Sequence, residues 1–195
     1  MSKIICLMGK SSSGKDTIFR ELLSKGTLGL KTIVPYTTRP IRTGEIDGVD
    51  YHYTDEEGFQ KLLKDGKIIE ERAYHTVHGL WRYFTVDDDS IRLEENDYCM
   101  IGTLEAYVHI KEYFGADKVL PVYIEIDDGE RLQRALSRER SQKEPKYEEM
   151  CRRFLADCQD FSEEKILDAG IEVRFQNERL DSCLDSIVQY IQNNR

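Results

Sequence analysis

The sequence predicts an α/β fold, a three-layer arrangement in which a five-stranded parallel sheet carries helices on both faces. Three observations predict it. Short apolar runs at residues 3–8, 30–34, 97–102, 119–126 and 171–175 read as buried strands. Segments of helical periodicity at 15–24, 104–114, 128–140, 147–165 and 180–192 lie between or after them, long enough for the crossovers that parallel strands require. A glycine-rich loop at residues 9–14 joins the first strand to the first helix, a position where a helix N-terminus can face a ligand.

Taken in order, the first strand runs into Gly9-Lys10-Ser11-Ser12-Ser13-Gly14-Lys15, which matches the G-x-x-x-x-G-K part of a phosphate-binding P-loop in its required strand-to-helix context. Glycines let the backbone fold tightly, so that successive N–H groups converge on an anion, and the helix N-terminus adds roughly half a positive charge. Lys15 then brings a full charge to the terminal phosphates. An ordinary glycine-serine turn is the competing reading, and the flanking strand and helix disfavour it. Gly9, Ser11, Ser12, Ser13, Gly14, Lys15, Asp16 and Thr17 are therefore expected to hold the phosphate tail of a nucleotide. The eighth motif position carries Asp16 in place of a Ser or Thr, followed by Thr17. Asp16 either points away and favours the helix N-terminus, or faces Mg²⁺ directly or through water. A carboxylate facing phosphates without a metal is unfavourable by roughly 1 kcal/mol or more, so Mg²⁺ dependence is expected, with Asp16 and Thr17 as the metal side.

Residues 35–86 break the alternation. Tyr51-His52-Tyr53 precedes Thr54-x-x-Glu57, read as a capping box that opens a short helix to about Leu63. An alternating run at 67–74, turn signals at His78-Gly79 and an aromatic run at 80–85 complete a small inserted α/β subdomain with its own sheet. Trp81 and Phe84 are expected in its core. The main core is then 1–34, 87–137 and 154–195, in one domain spanning 1–195. Polar residues and a proline at 141–145 separate two basic helical segments and mark 138–153 as a helical lid. Leu180, Cys183, Leu184, Ile187, Val188 and Ile191 form the stripe of a final helix that covers the sheet.

The net charge of −9 disfavours a general nucleic-acid binder. Against that background, residues 131–153 carry eight basic and four acidic side chains, which suggests a focused anion site. The apolar stretches at 3–8 and 118–126 are far shorter than a membrane span, and residues 1–8 lack the apolar region of a secretory leader, so a cytoplasmic protein is expected. Cys6, Cys99, Cys151, Cys158 and Cys183 are odd in number, widely spaced and without a C-x-x-C pair, which argues against disulfides and zinc and for most of them being small buried groups.

Thr37-Thr38-Arg39-Pro40-x-Arg42-x-Gly44-Glu45-x-x-Gly48-x-Asp50-Tyr51 closely resembles the nucleotide-acceptor segment of guanylate kinases. Together with the P-loop and the arginine-rich segment, the similarity covers nearly the whole chain. The resemblance implies transfer of a phosphoryl group from ATP to GMP with Mg²⁺, and catalytic roles for Lys15, Arg39, Arg138 and Arg153. It places Arg39, Arg42 and Tyr51 on the acceptor phosphate; two arginines three apart on a turn can fork onto one dianion that a tyrosine hydroxyl completes. Glu70 matches the acidic residue that reads the guanine N1 and N2 edge. Tyr83-Phe84-Thr85 resembles the family's Tyr-Gly-Ser/Thr turn, with Tyr83 toward phosphate, Thr85 toward guanine O6 and Phe84 replacing the glycine. Arg134, Arg138 and Arg153 fall on arginines that clamp adenine and the transferring phosphate, and Asn177 lies near the donor base.

Two departures stand out. Ile101-Gly102-Thr103 occupies the place of an Asp-x-Asp, with Glu105 and Asp127 as the nearest replacements, although Asp127 reads as a helix N-cap. Pro35 replaces a serine that assists the acceptor phosphate. A nucleoside monophosphate is mostly a dianion at neutral pH, so no general base is needed, and His52, His75, His78 and His109 are expected in surface or packing roles. Two other readings keep the resemblance: a kinase of the same fold acting on another phosphorylated small molecule such as a ribose bisphosphate, and a non-catalytic interaction module, against which the intact loop argues. The sequence carries no signal of oligomeric state.

Overall fold

Alternation of apolar residues along Ile4–Met8 (β1) sends Ile4, Cys6 and Met8 to one face of a sheet and Ile5 and Leu7 to the other, so both faces need a cover. In the computed structural model, which describes residues 2–24, 26, 28–76 and 79–195, each face has one. The chain continues through α1 (Lys15–Ser24), β2 (Lys31–Thr32), β3 (Tyr36–Thr37), β4 (His52–Tyr53), α2 (Glu56–Lys64), β5 (Ile68–Thr76) and β6 (Gly79–Val86). It closes with β7 (Tyr98–Ile101), α3 (Leu104–Phe114), β8 (Val119–Glu125), α4 (Asp128–Arg140), α5 (Tyr147–Asp160), α6 (Glu163–Asp168), β9 (Arg174–Gln176) and α7 (Leu180–Asn193).

Five strands pair in the order β2-β7-β1-β8-β9, every pair parallel, with β1 at the centre. Tyr107 and Ile110 of α3 and Ile166 of α6 pack on the Ile4-Cys6-Met8 face. Ile18 and Leu22 of α1, with Leu184, Ile187 and Ile191 of α7, pack on the Ile5-Leu7 face. Each such side chain contributes roughly 1.5–3 kcal/mol on burial, which anchors the loop after β1 between two filled layers. A second sheet, β4-β3-β6-β5, is mixed: β3 and β4 run parallel and the other pairs antiparallel. Its small core joins Phe59 of α2 to Phe84 and Val86 of β6, with the two phenyl rings edge to face at 5.0 Å. Among the described residues no helix is long and apolar enough to cross a membrane.

Several expectations are corrected. The helix read as 147–165 is two, because the Ser162 side chain accepts from the Lys165 N–H and starts α6 afresh. The cap of α2 is Asp55, accepting from the Gly58 N–H at 2.8 Å, one residue after the expected Thr54. The strand read at 30–34 pairs only through Lys31 and Thr32, which are exposed at the sheet edge. The strand read at 171–175 pairs through 174–176; Ile171 is buried in the core, while its N–H closes α6 on the Ile166 carbonyl. Trp81 is half-buried on the face of β6 shared with Tyr83 and Thr85, whereas Phe84 faces the opposite core. His78 of the expected turn lies outside the described residues. Asp127 is the N-cap of α4, accepting from the Gly129 and Glu130 amides, and Cys6, Cys99 and Cys183 are buried thiols.

Candidate functional site

The loop after β1 is held in a shape that side chains would obstruct. Gly9 has φ +154° and Gly14 φ +92°, and a Cβ on either would lie 2.5 Å from the Ile124 carbonyl oxygen or 2.2 Å from Asn177 Nδ2. Ser12, at φ 65°, sits in the left-handed region that non-glycine residues rarely occupy. The hydroxyls of Ser12 and Ser13 are buried without a hydrogen-bond partner among the described residues. Ser11 donates its N–H to Asp157 Oδ2 of α5 at 2.8 Å, so a carboxylate occupies an anion position on the loop. Glycine cradle, unmatched hydroxyls and a carboxylate on a loop amide together fit a polyphosphate.

The arginine-bearing helices close over this loop. Arg131 of α4 is 1% exposed; it donates to Asp128 and Asp157 at 3.0 Å each, and stacks over the Phe154 ring at 4.0 Å. Arg134 donates to the Asn177 carbonyl at 3.1 Å, while Asn177 Nδ2 donates to the Ser13 carbonyl at 2.7 Å. Arg138 and Arg153 line a cavity of about 140 Å³ with Ser11 and Ser12, and Arg153 is paired with Glu149 on its own helix. The arginines at 152 and 153 hold the Glu149 carboxyl at about 2. Glu139 fastens the 141–146 connection by accepting from the Lys146 N–H.

A larger cleft of about 560 Å³ opens beside the loop, with Gly9, Lys15 and Asp16 at one side and Tyr51, Arg72 and Tyr83 at the other. Tyr51 and Tyr83 meet edge to face at 5.7 Å, and burial raises the Tyr51 hydroxyl pKa, which keeps it a neutral donor. Arg39 and Arg42 do not line this cleft. Arg39 is 3% exposed behind Tyr51, its guanidinium forked onto Glu45 at 2.8 and 2.6 Å, and the Arg42 N–H donates to the same carboxylate. Those bonds, led by the Arg39 fork, pull the Glu45 carboxyl down to about 2. Glu70 and Thr85 meet at 2.7 Å but are buried, and Arg72 rather than Glu70 reaches the cleft. No carboxylate comes from residues 101–103; Thr103 caps α3 by accepting from the Ala106 N–H.

For a divalent cation, Asp16 lies at the cleft beside Lys15 Nζ at 3.7 Å and is 73% exposed. No group of three or more metal-ligating side chains occurs among the described residues. That donor set fits Mg²⁺, which takes one or two carboxylates and completes its shell with phosphate oxygens and water. Thr17 is turned into the first helical turn, its N–H on the Gly14 carbonyl. Sequence reasoning missed Arg131, Asp157, Glu45 and Arg72. Only Arg131 carried a usable signal, the spacing 131, 134, 138 that puts three arginines on one face of α4.

The sequence pattern of the guanylate kinase family matches residues 1–194. Guanylate kinases of Oceanobacillus iheyensis and Streptococcus mutans are each 41% identical over 71 residues, 36% of this chain. That stretch spans 34%, about a third, of the length of those relatives. A crystal structure of guanylate kinase from Anaplasma phagocytophilum superposes with a TM-score of 0.68 at 19% identity, covering 98% of this chain and 85% of that one, and shares the fold. With the pattern matched over almost its whole length, the chain belongs to the guanylate kinase family.

Proposed function

We propose that the protein transfers the γ-phosphoryl group of ATP to GMP, forming ADP and GDP, in the cytoplasm and with nucleotides rather than nucleic acid as partners. One observation carries the reading: a single cleft has a phosphate loop and Lys15 on one side and Tyr51, Arg72 and Tyr83 on the other, so two polyanions can meet end to end.

In this reading the loop amides from Gly9 to Lys15 and the Lys15 ammonium hold the donor phosphates. Arg134 and Asn177 support the loop from the donor side, and Arg138 and Arg153 lie where charge builds up on the transferring group. Tyr51 donates to the acceptor phosphate with Arg39, forked onto Glu45, behind it, and the exposed Arg42 guanidinium supplies positive charge to the same phosphate. Asp16, with Thr17 beside it, would hold Mg²⁺, which would supply positive charge to offset that of the phosphates. No side chain needs to remove a proton, since the acceptor phosphate is already dianionic near neutral pH. Closure of the 138–153 segment excludes water, which would otherwise take the phosphoryl group.

The test is a coupled ADP-release assay with ATP and Mg²⁺ across GMP, dGMP, AMP, UMP and ribose phosphates. Saturable turnover with GMP, abolished by excess chelator, is expected. Turnover confined to a sugar phosphate, or none with any acceptor while ATP binds, would overturn the assignment.

A further inference from the structure

Glu70 and Arg72 are two apart on β5 and so share a face, and a bulge at 68–70 shifts the register just before them. The Glu70 side chain is fully buried. Its Oε2 accepts from Arg72 Nε at 3.0 Å, and its Oε1 from Arg72 Nη2 at 3.3 Å and from the Thr85 hydroxyl at 2.7 Å. That carboxylate is satisfied from within the protein. Arg72, 17% exposed, is the member of the pair that lines the cleft, beside Tyr51, Tyr83 and Thr103.

A guanidinium has five N–H donors, and Glu70 takes the side-on edge formed by Nε and Nη2. The end-on edge, made by the outer hydrogens of Nη1 and Nη2, has no partner among the described residues. Tyr51, Tyr83 and Thr103 bring hydroxyls to the same cleft, and its carboxylates are engaged elsewhere: Asp16 lies beside Lys15, Asp50 accepts the Ile46 N–H, and Asp157 accepts from Ser11 and Arg131. Residues 101–103 bring no carboxylate. A guanidinium edge, which donates and cannot accept, selects a ligand edge made of acceptors. The end-on fork of arginine fits the adjacent O6 and N7 acceptors of a 6-oxopurine, whereas adenine presents an amino donor at position 6.

We propose that Arg72 reads the acceptor base through O6 and N7, that Glu70 is its positioning residue, and that the acceptors are 6-oxopurine nucleoside monophosphates as a class, IMP as well as GMP. The inference rests on the kinase reading above and concerns which group selects the base. Guanine and hypoxanthine share the O6 and N7 edge and differ in the 2-amino group, which Arg72 does not touch.

The experiment measures kcat/KM for GMP, IMP, 7-deaza-GMP and AMP with ATP and Mg²⁺. Expected are IMP within about threefold of GMP, 7-deaza-GMP lower by roughly tenfold or more, and AMP lower by about a hundredfold. Arg72→Met should bring GMP and 7-deaza-GMP to parity. Glu70→Gln, which still accepts one N–H from Arg72, should keep part of the N7 discrimination, and Glu70→Ala should lose most of it. Destabilisation alone would not move these ratios, and the wild-type values decide the matter even where a variant fails to fold. A GMP preference over IMP of about a hundredfold, with 7-deaza-GMP as good as GMP, places the readout on the N1 and N2 edge and overturns this inference alone. Transfer to none of the four, while calorimetry shows ATP binding, overturns the acceptor reading and this inference with it.

Discussion

Gly14→Ala tests whether the loop is built as a phosphate cradle. Gly14 has φ +92°, and an added Cβ would lie 2.2 Å from Asn177 Nδ2, which donates to the Ser13 carbonyl at 2.7 Å. Holding an L-residue in that backbone region costs roughly 1–2 kcal/mol. Pushing the buried Asn177 amide off its acceptor costs roughly a further 1–3 kcal/mol. A total of about 3 kcal/mol lowers Tm by roughly 6–12 °C in a domain of this size. Gly26 supplies the control: it has φ +60° but nothing among the described residues within 4 Å of an added Cβ, so Gly26→Ala carries only the backbone cost and should lose roughly 2–8 °C, less than Gly14→Ala. The assay is thermal melting of both variants, with ATP titrated by calorimetry. ATP affinity should fall at least about tenfold in Gly14→Ala, because the loop amides move, and stay near wild type in Gly26→Ala. In Gly14→Ala/Asn177→Ala the obstacle is gone, so the two losses should sum to more than the double variant shows. Gly14→Ala melting no lower than Gly26→Ala and binding ATP as tightly as wild type would refute the reasoning.

Lys15→Ala should reduce kcat by about a hundredfold or more with little change in Tm, since the ion pair Lys15 makes among the described residues is with the exposed Asp16; full turnover would remove the donor-site assignment. Asp157→Asn should tighten ATP binding about fivefold, roughly 1 kcal/mol, by weakening the competitor on the Ser11 amide, and calorimetry showing weaker binding would count against the anion-site reading. For acid stability, Arg39 holds the folded-state pKa of Glu45 at about 2, below its ordinary 4.5, so this contribution is complete above that value and is lost as pH falls toward 2. Urea midpoints of wild type and Glu45→Gln should therefore differ most above about pH 5 and converge near pH 2; a gap independent of pH would contradict the pairing.

Much of the scaffold was legible because it depends on local periodicity. The apolar run of β1, the glycine spacing of the loop and the stripe of α7 each follow from residues close in sequence, and each appears where the pattern puts it. Boundaries that depend on a single cap were less legible: Ser162 ends one helix and starts the next with a hydroxyl that sequence periodicity does not register.

What the chain alone determined was the fold class, the loop and the basic character of the helices above it. What the tertiary structure alone decided was which charges are free to act. Arg39 and Arg42 read as a phosphate clamp, yet the Arg39 guanidinium is forked onto Glu45, which Arg42 meets only through its main-chain N–H; Glu70 read as a base reader, yet its oxygens are taken by Arg72 and Thr85; and Asp157, 146 residues beyond Ser11, lies on the loop amide. A motif states what a side chain can donate or accept, but a donor already satisfied by a buried neighbour offers little to a ligand. That pairing is settled only when packing brings distant strands and helices within about 3 Å of one another.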